Sequence, residues 1–103
     1  MKAKEEKREY PEIEGCEYIT QHDEVTIEAG ERAERYITHT LYRRNNGSFF
    51  IKTRRWTPWW GTEPEDLGDE ALPNAEAALA WAVDVAGLNP QVATRLIVGV
   101  DEQ

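Results

Sequence analysis

The feature that most constrains this chain is ERYITHTLYRRNNGSFFIKTRRW, residues 34–56. Two runs rich in β-branched and aromatic residues flank Asn45-Asn46-Gly47, the pattern of a β-hairpin. A two-residue Asn-Gly turn would set Leu41 opposite Lys52 and Arg43 opposite Phe50. A three-residue loop, with Gly47 left-handed in a bulge, sets Leu41 opposite Ile51 and Arg43 opposite Phe49. The second register matches apolar to apolar and is the expected one. It puts Ile37, His39, Leu41, Phe49, Ile51 and Thr53 on one face, assigned to the core. Tyr36, Thr38, Thr40, Tyr42, Phe50, Lys52, Arg54 and Trp56 fall on the other face, where rings alternate with cations, so that face is expected to be solvated. A slip by one residue would exchange the two sets.

The flanking segments supply further elements. Residues 1–11 read as a charged tail ahead of a single domain over 12–103. Short strands are expected over Glu12–Thr20 and Glu24–Ala29, separated by the polar turn Gln21-His22-Asp23; Val25 and Ile27 alternate with polar residues and are assigned to the core. Residues 57–73 contain Pro58, Gly61, Pro64, Gly68 and Pro73 and read as a long loop. Asn74 is then an N-cap for a helix over about 75–86 that stops at Gly87, with Ala75, Leu79, Val83 and Ala86 as its apolar stripe. Asn89-Pro90 starts a second helix, and LIVGV at 96–100 fits either its end or a last strand. The expected architecture is α+β: an antiparallel β-meander of three to four strands with one face packed by C-terminal helices.

A chain of 103 residues can bury one core without staples. Its single cysteine, Cys16, excludes an internal disulfide and a cysteine-based zinc cluster, and fits a reducing compartment. No apolar run approaches the length of a membrane span, and the N-terminus MKAKEEKREY lacks a signal peptide's apolar stretch, so a cytoplasmic location is expected.

The net charge of −8 conceals a pattern. Residues 1–34 carry eleven acids and five bases, 35–56 carry six bases and no acid, and 57–103 carry nine acids and one base. Such segregation bears on partners rather than on fold.

Catalytic chemistry finds little purchase. The only serine, Ser48, sits at the hairpin turn with no base expected beside it. His22, Asp23 and Glu24 are consecutive and point different ways, His39 is expected to be half-buried, and the acids of EPEDLGDE lack calcium-loop spacing. No enzyme activity, metal or cofactor is expected.

Two resemblances add to this reading. THTLYRRNNGSFFIK, followed by a tryptophan- and glycine-containing loop and an alanine-rich helix with Trp81, resembles small uncharacterised bacterial and mobile-element proteins over residues 38–88. Small size, acidity and a compact α+β pattern are also similar to phage-encoded anti-CRISPR and other anti-defence inhibitors. That resemblance implies a non-catalytic inhibitor of a nucleic-acid-handling protein, in a bacterial cell.

Residue by residue, the corresponding surface is acidic and phosphate-mimicking: Glu63, Glu65, Asp66, Asp69 and Glu70, helped by Glu24, Glu28, Glu31 and Glu34. In RRWTPWWG, Trp56 shares the face of Arg54; one of Trp59 and Trp60 is expected against the helix near Trp81, and the other to join Trp56 as an exposed anchor. The alternative is nucleic-acid binding on the hairpin, with Tyr42 and Phe50 as stacking platform and Arg44, Lys52 and Arg54 as its charge. Against both stands a structural role, in which the acidic segment folds back to neutralise Arg43, Arg44, Lys52 and Arg54.

Overall fold

A computed structural model describes residues 13–27, 34–56 and 64–99, with the side chains of 25–27 and 34–36 outside that description. The hairpin organises it. Gly47 has φ +91°, and its N–H donates to the Arg44 carbonyl at 2.8 Å, while Arg44 N–H donates to the Ser48 carbonyl at 2.8 Å. Asn46 Oδ1 accepts from both the N–H and the hydroxyl of Ser48, at 3.0 and 2.7 Å. The three-residue loop therefore sets β2 (Glu34–Arg44) against β3 (Phe49–Trp56) with Leu41 opposite Ile51 and Arg43 opposite Phe49.

Two further strands complete an antiparallel sheet of order β1-β2-β3-β4. β1 (Cys16–Ile27) is a single strand and not two pieces around a turn. Gln21, His22 and Asp23 pair with Thr40, His39 and Thr38, so pairing with β2 overrides their turn-like composition. A bulge between Tyr18 and Thr20 resets the register, and both Ile19 and Thr20 are buried. β4 (Glu65–Leu72) corrects the expected long loop. Its Asp-, Glu- and Gly-rich composition is poor for a strand. Here it is matched to a basic neighbour: Lys52 stands opposite Asp69, Arg54 opposite Asp66 and Arg55 opposite Glu65.

α1 (Ala75–Asp84) is capped by Asn74, whose side chain accepts from Ala77 N–H at 2.8 Å. α2 (Pro90–Ile97) is capped by Asn89, with Pro90 at its first position. Leu96 and Ile97 thus belong to a helix, which ends as Val98 N–H donates to the Thr94 carbonyl and Gly99 turns left-handed. The core lies between these helices and one face of the sheet: Ile19, Leu41, Phe49 and Ile51 pack with Ala78, Ala82, Ala93 and Ile97. The most buried line of α1 is Ala78–Ala82 and not the expected Ala75–Leu79–Val83–Ala86 stripe; Ala75, Leu79 and Val83 flank the core, partly buried. Small side chains on that line share one core with Ala93 and Ile97 of α2. Ile37 is half-buried, and the side chains of Val25 and Ile27 lie outside the described residues.

The solvated second face is the main correction. Thr38, Thr40, Tyr42, Phe50 and Arg54 are all buried, Tyr42 to 1% exposure and Phe50 to 3%. Alternation assigned these residues to one face correctly, but it cannot say whether that face meets water. Among the described residues no helix is long and apolar enough to cross a membrane.

Two substitutions check this packing. Leu41→Ala, at 0% exposure, is expected to cost roughly 2–5 kcal/mol in urea unfolding. Nothing lies within 4 Å of a Cβ added at Gly47, which has φ +91°, so Gly47→Val tests chiefly backbone strain and is expected to cost more than ~1 kcal/mol. A fully stable variant would argue against the left-handed loop.

Candidate functional site

The acidic residues expected to bind a partner are brought together on β4, an edge strand. Glu65, Asp66, Asp69 and Glu70 are all exposed. Their arrangement follows from β3. The Lys52 ammonium lies 2.8 Å from Asp66 Oδ2 and 2.7 Å from Asp69 Oδ1, and Arg55 Nε lies 3.2 Å from Glu65 Oε1. The bulge between Thr53 and Arg54 lets Asp66 reach Lys52 although it stands opposite Arg54. Gly68 N–H also donates to Asp66 Oδ1 at 2.8 Å. Glu70 forms no ion pair among the described residues.

The titration behaviour follows from these contacts. Hydrogen bonds from Lys52, then from Gly68 N–H, hold the Asp66 carboxyl below its ordinary range. Burial by itself would lower the Lys52 ammonium, but hydrogen bonds to Asp66 and Asp69, with their charges, outweigh it and raise the group.

Internal neutralisation is thus real for Lys52, and it differs elsewhere from the expected pattern. Arg43 is held by Glu17, with Nη2 2.7 Å from Oε1, and also donates to the Ile97 carbonyl at 3.0 Å. Arg54 is 5% exposed, donates from Nη2 to the Tyr42 hydroxyl at 3.1 Å, and has no partner for Nη1 among the described residues. Arg44 lies over the Phe50 ring, 4.1 Å from its centroid.

The proposed stacking platform is not open. Tyr42 stacks on Phe50 at 5.3 Å between centroids, both within the structure. Trp56 is half-buried and donates its indole N–H to Thr38 Oγ1 at 3.0 Å, a tether rather than a free anchor. Trp59, Trp60, Glu63, Glu28 and Glu31 lie outside the described residues, as does the Glu34 side chain. Glu24 is engaged by His39, whose Nε2 is 3.3 Å away, and His39 stacks on His22 at 6.0 Å. Among the described residues no group of three potential ligands is arranged to hold a metal ion.

Sequence reasoning missed a groove beside Cys16, Arg44, Lys52 and Asp69. Its only signal in the chain is Glu14-Gly15, a turn whose docking on the hairpin no local pattern announces.

No family model matches the sequence, and no curated protein or solved structure gives a significant match.

The Lys52 cluster predicts a pH response. Asp66, lowered in the folded chain, contributes its full stabilisation at neutral pH and loses it as pH falls through its depressed value. Lys52, raised, keeps its contribution until pH rises through its elevated value. The urea midpoint is expected to hold between these limits and to fall in acid. Lys52→Met should make that acid limb shallower, and an unchanged limb would show that the cluster does not contribute.

Proposed function

We propose that this chain is a non-catalytic protein-binding module that presents the acidic edge strand β4 to a basic, nucleic-acid-handling surface of another protein. The observation that carries this reading is the set of exposed carboxylates along the edge strand β4, with Asp66 and Asp69 on the Lys52 side of the sheet and Glu65 and Glu70 on the Arg55 and Ile51 side. Ion pairs to Lys52 and Arg55 hold their side chains in place while leaving Asp66 60%, Asp69 42% and Glu65 63% exposed. Glu65 to Glu70 spans roughly 17 Å of strand. A preorganised array loses less side-chain entropy on binding than free glutamates would. Such a module would act as an inhibitor by occupation, in keeping with the resemblance to anti-defence proteins and with a cytoplasmic target. Burial of Tyr42, Phe50 and Arg54 disfavours direct nucleic-acid stacking on the hairpin.

Capture from a bacterial lysate, comparing the wild type with a Glu65→Gln, Asp66→Asn, Asp69→Asn, Glu70→Gln variant, tests the reading. The wild type is expected to retain a nucleic-acid-binding protein that duplex DNA displaces and that the neutralised variant does not hold. A partner held equally by both, or indifferent to competing DNA, would sink it.

A further inference from the structure

Where the turn at residues 13–16 meets the hairpin tip, the surface opens into a groove of about 550 Å³, within the roughly 300–1,000 Å³ of small-ligand sites. Its walls are fixed by backbone bonds. Cys16 N–H donates to the Ile13 carbonyl at 3.0 Å, Gly15 adopts φ +80°, and Asn45 N–H donates to the Gly15 carbonyl at 2.9 Å. Cys16 stands directly opposite Arg44 across β1 and β2.

The cations lining this groove are not equivalent. Lys52 is shared between Asp66 and Asp69. Arg44 has no carboxylate partner among the described residues; it stacks on Phe50 and donates from Nη1 to Ser48 Oγ at 3.3 Å. A guanidinium carries five N–H donors, so most of this one's capacity is unspent. Asn46 also lines the groove, and its Oδ1 is occupied by Ser48, which leaves its amide N–H groups to donate. A guanidinium with no carboxylate partner among the described residues, with the Asn46 amide on the same groove wall, suits an oxyanion. Glu14 and Asp69 stand on the same walls and oppose a dianion such as a phosphate monoester. A singly charged carboxylate fits both conditions.

We propose that the groove between the 13–16 turn and the hairpin tip binds a carboxylate group, with the Arg44 guanidinium as its principal contact. The groove shares Asp69 with the β4 surface, but its proposed ligand contact, Arg44, lies outside that surface and does not rest on the function proposed for it.

Cys16, the only cysteine in the chain, lines the groove and supplies a single-site reporter. Its alkylation rate by iodoacetate is compared with that by neutral iodoacetamide, and the ratio is referenced to N-acetylcysteine amide. The ratio is expected to exceed the reference in the wild type and to fall roughly tenfold in Arg44→Gln, the factor for one charge-assisted hydrogen bond. Arg44→Lys keeps the charge without the fork and should fall less; it provides the comparison if Arg44→Gln does not fold. Protection of Cys16 by acetate would identify small free carboxylates as ligands. Protection only by a peptide with a free rather than amidated C-terminus would identify a chain end. Equal ratios in the wild type and both variants would overturn the proposal, as would a thiol inert to both reagents.

Discussion

The left-handed turn at Gly47 is the constraint on which the rest of the structure depends. It makes the hairpin loop three residues long, and the loop length sets which residues of β2 and β3 face each other. Leu41, Phe49 and Ile51 then share one side, where Ile19 and the alanines of both helices can close over them. The same register puts Tyr42, Phe50, Lys52 and Arg54 together on the reverse side. A loop one residue shorter would leave lysine against leucine and the helices without an apolar floor.

Charge is used twice in this fold. The basic block on β2 and β3 is answered on both flanks, by Glu17 for Arg43 and by β4 for Lys52 and Arg55. Pairing on one edge turns a segment of poor strand propensity into a strand, because opposite charges compensate for absent apolar contacts. Its carboxylates remain largely in water, so each pair contributes little to stability. The geometry matters more for what the carboxylates present outwards. Edge strands also need protection against adventitious pairing, and charge, a bulge and Gly68 supply it here.

Among the described residues Arg54 and Arg44 form no ion pair, and each is held in a different way. Arg54 is enclosed, with the Tyr42 hydroxyl as its partner and one nitrogen unsatisfied among the described residues, a costly arrangement for a charged group. Arg44 is stacked but half-exposed, facing a groove. Two arginines at opposite ends of one sheet face thus reach different electrostatic ends.

Local rules determined the hairpin register, the two helix caps at Asn74 and Asn89, the α+β class and the clustering of acids near residues 65–70. Each rests on interactions within a few residues: a positive φ, a side chain capping its own helix, a period of two. Only the tertiary structure decided what pairs with what beyond that range. Gln21–Asp23 became strand because β2 offered partners, and Glu65–Leu72 became strand because β3 offered cations. Ala78 and Ala82, not the larger residues, form the fully buried line of α1, joining Ala93 and Ile97 of α2 and the sheet residues in one core. Whether Tyr42 and Phe50 meet water, and whether Arg44 finds a carboxylate, depends on chain far away in sequence. Periodicity assigns a side chain to a face; only packing decides what that face meets.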